Sequence, residues 1–286
     1  MTKITIIGNP EQKDEEKIKT WLTESLKKLN VSLEEIYLVF LENFEKLEEL
    51  YQRYIKGTEI LSDAEISFRA NIYFRQVTTL GYVHDSQRKI GVPPTIVIGK
   101  SNEISQDSLL HETAHMLEDK NGWGKQMVEA HSLIIQDYQL KWGNLAHQNE
   151  RGLLVILLDQ IIADYFVNEL WCQRGLFNET FRYQQKKINR WIKQSRQKEK
   201  FSRIEVFRLI VGAAFWSALP PAYPQRKDEK ELEQIFINHV RQMSIESELR
   251  QIQVIVSKLK SPPTVANIYK CSKEIIELAQ EFLEKQ

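Results

Sequence analysis

The stretch SLLHETAHML, residues 108–117, contains the pattern H-E-x-x-H within an otherwise apolar run. Residues four apart lie on one face of a helix, so His111 and His115 can direct their imidazoles at the same metal ion. Glu112 lies about a hundred degrees further round that helix and can reach a metal-bound water. Two side chains upstream can cap the helix, Ser105 and Asp107. The pattern therefore predicts a zinc site in which Glu112 is the general base of a hydrolytic reaction.

The charge composition indicates no anionic partner. Lysine and arginine together number 39, as do aspartate and glutamate, so the net charge points to neither nucleic acid nor an anionic membrane. Residues 182–203 are the exception, because they carry nine basic residues against the single acid Glu199. We expect this run to be the solvated face of a helix.

Several features predict a cytoplasmic protein without a membrane partner. Cys172 and Cys271 lie far apart and form no C-x-x-C pair, which suits a reducing compartment. The apolar stretch at the N-terminus is too short for a secretory signal. Residues 153–171 form the most apolar segment, but acidic and amide side chains interrupt it. They predict a buried helix and not a lipid-spanning one.

The N-terminal part reads as mixed α/β structure. A strand is predicted at Lys3–Ile7 and a helix at residues 14–29. Residues 33–54 leave two interpretations open, a long amphipathic helix or a strand at 36–41 followed by a shorter helix capped by Asn43. Thr95–Ile98 is β-branched and is predicted as a strand, and the two prolines before it suggest an exposed sheet edge.

After Gly99 the pattern is helical almost to the C-terminus. Residues 206–219 are expected to form a core helix that ends before Pro220 and Pro221. We therefore predict an α+β, helix-rich chain. Residues 1–120 would hold a small mixed sheet with the active-site helix and residues 121–286 a helical part, either as two parts or as one continuous catalytic domain.

Residues 108–117 resemble the active-site helix of the zincin metallopeptidases. In that family the two histidines bind zinc and the glutamate is the general base, roles that fall on His111, His115 and Glu112. The resemblance implies a zincin-like fold, a Zn²⁺ cofactor and a peptide or protein substrate. It also implies a strand antiparallel to the substrate before the helix, where Thr95–Ile98 is placed. Thr113 departs from the family, in which this position is usually bulky and apolar.

A catalytic zinc site requires a third protein ligand. Metzincins supply it as H-E-x-x-H-x-x-G-x-x-H, but Glu118 and Asn121 occupy the glycine and last histidine positions here. The resemblance is therefore to gluzincin-type enzymes, in which a later helix provides a carboxylate. Their usual pattern is a glutamate with an acidic residue four positions on, which the A-D-x-x-x-N of this chain only approximates.

The apolar segment at 153–171 is the expected source of that carboxylate. Gln160, Asp164 and Asn168 recur every four residues and form a polar stripe that is costly to bury without a partner. Asp164 is predicted as the third ligand, with Asn168 or Gln160 orienting a histidine from behind. Four other residues stay in reserve as ligands: Asp159, Glu169, Glu129 and His131.

Two points stay open at the level of sequence. The donor for a developing oxyanion has four candidates by residue type alone, which are Tyr165, Tyr138, His131 and His147. The alternative function is that of a helical interaction or nucleic-acid-binding protein using residues 182–203, with structural zinc or none. A zinc hydrolase acting on something other than peptides is a third possibility.

Overall fold

The computed structural model describes residues 2–8, 12–40, 80–83, 91–98, 104–140, 150–196, 202–224, 226–240 and 245–284. The chain divides into two compact units. The first comprises Met1–Lys125 and Trp142–Asn144, and the second comprises Gln126–Lys141 and Leu145–Gln286. The division falls inside the helix that begins at Trp123, whereas the sequence placed a boundary at residue 120.

The first unit is a small mixed sheet with two helices. Its elements in chain order are β1 (Lys3–Ile7), α1 (Gln12–Leu29), β2 (Glu35–Phe40), β3 (Leu80–Val83), β4 (Thr95–Ile98) and α2 (Gln106–Lys120). The described strands are ordered β1-β2-β4-β3, with β1, β2 and β4 parallel and β3 antiparallel to β4. With the helices of the second unit, this sheet confirms the predicted helix-rich α+β class.

Strand β2 settles the ambiguous segment in favour of the strand. Ile36 and Leu38 are fully buried, and the strand pairs with β1 on one side and β4 on the other. An interior parallel strand is covered on both faces, so it reads as a continuous apolar run and not as an alternation. The helical interpretation is wrong for Glu35–Phe40, and the proposed cap Asn43 lies outside the described residues.

The predicted exposed edge at β4 is wrong. All four residues of β4 are buried, and the strand lies between β2 and β3. The prolines do not weaken it because they precede its first residue and remove no donor from the ladder. The carbonyl of Pro94 even extends the pairing by accepting the N–H of Tyr37 at 2.9 Å. Among the described strands, β3 and β1 form the edges.

The end of β1 requires a glycine. Gly8 has a φ of +97°, and a Cβ atom built on it would lie 2.5 Å from the carbonyl oxygen of Phe40 at the end of β2. A side chain at this position would clash with the backbone of Phe40, which cannot move aside as a flexible side chain could. The turn after β1 therefore depends on both the conformational freedom of glycine and its lack of a side chain.

The second unit is helical in the described residues. Its helices are α3 (Trp123–Asp137, of which residues from Gln126 belong to this unit), α4 (Glu150–Gln173), α5 (Phe177–Arg196), α6 (Arg203–Ser217), α7 (Arg226–Val240), α8 (Glu246–Val256) and α9 (Val265–Glu284). Helix α6 packs against α4, α5, α7, α8 and α9. It is the predicted core helix, and it ends before Pro220 as expected.

Helix α4 confirms the predicted buried helix. Phe166 and Trp171 on it are fully buried. Among the described residues, none of the helices combines the length and the apolar character needed to cross a lipid bilayer. Cys172 and Cys271 are both buried and form no disulfide.

Candidate metal centre

Helix α2 carries the H-E-x-x-H pattern and begins with a side-chain cap. Of the two predicted caps, Ser105 fills the position, and its hydroxyl accepts the N–H of Ser108 at 3.2 Å. The helix packs against α1 and β3 within the first unit, so it is buried on several faces. These packing contacts therefore fix the position of the helix without a bound ligand.

The two histidines of the pattern converge. His111 is 4 % exposed and His115 7 %, and their Nε2 atoms lie 3.3 Å apart. Two nitrogens bound to one tetrahedral zinc at about 2.0–2.1 Å would be separated by about 3.3–3.4 Å. The arrangement of the two rings thus fits a shared zinc ion without a change of rotamer.

Glu112 lies on the same helix and contacts the neighbouring strand. Its side chain is partly buried, and Oε2 accepts the backbone N–H of Tyr82 on β3 at 2.8 Å. The Tyr82 ring is parallel to that of His115, with centroids 6.4 Å apart. One carboxylate oxygen of the predicted general base is therefore held at the sheet.

Glu118 is a feature that the sequence reasoning missed. Its side chain is fully buried, and its Oε2 lies 2.5 Å from Nδ1 of His115. The available signal was the spacing, because residue i+3 of a helix lies beside residue i. In the sequence, Glu118 stands out only as a departure from the metzincin pattern.

Thr113, the departure from the zincin pattern, is accommodated within the helix. It is fully buried, and its hydroxyl donates to the carbonyl of Leu109 at 2.7 Å. A helix can satisfy a threonine hydroxyl in this way through the carbonyl four residues back. The substitution therefore leaves no unsatisfied polar group at this position.

Asp164, the predicted third ligand, belongs to the second unit. It is partly buried on α4, and its Oδ2 lies 3.2 Å from Nζ of Lys187 on α5. Burial lowers the pKa of Lys187, but the Asp164 carboxylate and Tyr183 raise it by more, so its pKa lies above the ordinary value. The Asp164 carboxylate thus lies beside the charged ammonium of Lys187.

The predicted polar stripe on α4 is buried only in part. Asn168 is buried, and its Oδ1 accepts no hydrogen bond from the described part of the chain. Gln160 is exposed, so the prediction that it belongs to a buried stripe is wrong. Helix α4 is open to solvent at that turn. The role of Asn168 behind a histidine stays a prediction.

The reserve ligands have other contacts or are exposed. The oxygens of Glu169 accept from the Gln173 amide at 3.0 Å and from the N–H of Ala222 at 3.3 Å. Asp159 lies 3.0 Å from Nδ1 of His131, which is fully buried. Glu129 is exposed.

The candidates for an oxyanion donor are not distinguished by the fold. Tyr165 is buried edge-on against the rings of Phe166 and Phe215, and Tyr138 is partly exposed. His147 lies outside the described residues.

On α5, the basic side chains with described burial are mostly exposed, namely Arg182, Lys186, Arg190 and Lys193. They form the solvated face expected from the sequence.

No model of a known protein family matches this chain, and comparisons with curated proteins and with solved structures find no match either. The function is therefore argued from the residues themselves.

Proposed function

We propose that this protein is a zinc-dependent hydrolase of the zincin type that cleaves peptide bonds. His111, His115 and Asp164 would hold the ion, and Glu112 would be the general base. The observation that carries the proposal is the pair of buried histidines, whose Nε2 atoms lie 3.3 Å apart on a helix that also presents Glu112. Neutral imidazole and carboxylate are the ligand types that zinc takes in catalytic sites.

Each residue has a defined part in this chemistry. Zinc in such a site acidifies its bound water and polarises a carbonyl group. Glu112 would take the proton of the attacking water and return it to the departing amine. The backbone N–H of Tyr82 donates to Oε2 of Glu112, and this hydrogen bond would fix the orientation of the carboxylate for the proton transfer.

Asp164 is proposed as the third ligand because it is the carboxylate of the polar stripe. Lys187 lies against its Oδ2, a contact that favours metal binding through the other oxygen. Asn168 is proposed to orient a histidine, since a buried amide oxygen is costly without a donor and an imidazole N–H would provide one. The absence of a disulfide between the buried cysteines suits the proposed cytoplasmic location.

The test is the zinc content of the purified protein, measured by mass spectrometry after incubation with zinc and removal of the excess. Wild type is compared with His115→Ala, Asp164→Ala and the control Glu16→Gln, at an exposed residue of α1. We expect about one zinc per chain in wild type and in the control, and loss in the other two variants. A wild-type protein that contains no zinc after this treatment would contradict the proposed hydrolase function. Loss in His115→Ala alone would show that the third ligand is not Asp164.

A further inference from the structure

Glu118 is a charged residue in a place that excludes water. Its side chain has no exposed surface, although it is an acidic residue on a helix only 15 residues long. Burying a carboxylate is costly unless it is paired and hydrogen-bonded. The contact that offsets this cost is the ring of His115, whose Nδ1 lies 2.5 Å from Oε2 of Glu118.

This contact determines which nitrogen of His115 faces the metal position. A neutral imidazole that binds a metal through Nε2 carries its proton on Nδ1, and Oε2 of Glu118 lies there as the acceptor. The lone pair is then available on Nε2, and Nε2 is the atom that lies 3.3 Å from Nε2 of His111. The same contact fixes the rotation of the ring, since it anchors the edge opposite to the metal position.

We propose that Glu118 is a positioning residue of the metal centre, which holds His115 as the Nδ1–H tautomer with Nε2 directed at the ion. The inference rests on the proposed zinc site, and it adds a residue that the H-E-x-x-H pattern does not contain. All the contacts that carry it lie within α2, between residues three and four positions apart.

A purely structural role would have different consequences. A buried Glu118–His115 pair that only stabilised α2 would change the folding stability when altered, but it would leave the metal affinity of a folded variant unchanged. A positioning role changes the metal affinity and the tautomer of the ring. The experiment therefore needs both of these readouts together with the melting temperature.

We would measure the zinc dissociation constant of the full chain by competition with a chromophoric chelator. The variant is Glu118→Gln, which keeps the shape and one acceptor oxygen but loses the charge, and the control is the neighbouring Asp119→Asn. We expect about a 10- to 100-fold weaker affinity for Glu118→Gln, the usual cost of mutating the partner of a ligating histidine, because a neutral partner makes the imidazole a less basic ligand. The control should match wild type.

The tautomer is read separately on wild-type protein by ¹⁵N NMR of selectively labelled histidine, with His115 assigned through its variant. The Nδ1–H form is expected with and without zinc, and this readout stands even where Glu118→Gln does not fold. The Nε2–H form in the zinc-free protein, or unchanged zinc affinity in folded Glu118→Gln, would overturn the inference alone. A wild type that binds no zinc would overturn the proposed function first and this inference with it.

Discussion

The substitution Glu112→Gln tests the proposed chemistry most directly, because the structure defines how the new side chain must sit. The N–H of Tyr82 donates to Oε2 of Glu112 at 2.8 Å. In the variant only the amide oxygen can accept this bond, so the amide nitrogen takes the place of Oε1. The residue then presents an N–H donor where the reaction needs a proton acceptor. The packing of α2 and the two histidines are left unchanged.

The expected loss follows from the removal of general base catalysis. A positioned base contributes about 10²- to 10⁴-fold to a rate, which corresponds to about 2.7–5.4 kcal/mol of transition-state stabilisation. Because the bond to Tyr82 is preserved, we expect zinc content and melting temperature to stay at wild-type values. The loss should therefore appear in kcat and not in folding.

The assay is hydrolysis of a quenched fluorogenic peptide library by zinc-loaded protein, with Glu16→Gln as the exposed control. Wild type and control should cleave the same members of the library at the same rate. Glu112→Gln should retain its zinc and lose at least a hundredfold in rate. Cleavage within tenfold of wild type by the zinc-loaded variant would refute the assignment of Glu112 as base. Salt-sensitive nucleic-acid binding without any cleavage would favour the alternative function instead.

Two further predictions concern the fold. Gly8→Ala should lower the free energy of unfolding by about 3 kcal/mol, from a left-handed backbone penalty of about 1–2 kcal/mol plus a contact with the Phe40 carbonyl. Gly175 also has a positive φ, but a Cβ atom there would lie in open space, so Gly175→Ala should lower the free energy of unfolding by only about 1 kcal/mol. Equal losses for the two variants in chemical denaturation would show that the contact with the Phe40 carbonyl does not contribute. Burial raises the pKa of the Cys172 and Cys271 thiols to about 12, so labelling by a thiol reagent near neutral pH should be at least about a thousandfold slower than after unfolding. Rapid labelling of the native protein would contradict their burial.

The elements that the sequence predicted well are those whose pattern has one physical explanation. Lys3–Ile7, the helix at 14–29 and the core helix ending before Pro220 all have a period or a terminator that a single structure explains. β2 was harder because a strand buried on both faces has no alternation to show. β4 was predicted as a strand with the correct bounds, but its place inside the sheet was not. Pairing with strands far away in sequence decided both points, and a local pattern does not contain that information.

The candidate site divides in the same way. His111 and His115 could be placed on one face from their spacing alone, and residue type named Ser105 and Asp107 as possible caps without choosing between them. Tyr82 could not be found, because its contribution is a backbone N–H that any residue would supply. Gln160 was misjudged because the sequence does not show which turn of an apolar helix is left uncovered. Glu118 was within reach, since a residue three positions after His115 lies beside it on a helix.

The bond between Tyr82 and Glu112 has a consequence for solubility. β3 is an edge strand among the described strands, and an unpaired backbone N–H on such an edge can pair with a strand of another molecule. Glu112 covers that N–H with a charged side chain, so it also protects the sheet against edge-to-edge association. Glutamine at this position keeps the cover, whereas alanine removes it. An alanine variant would therefore confuse self-association with a loss of chemistry.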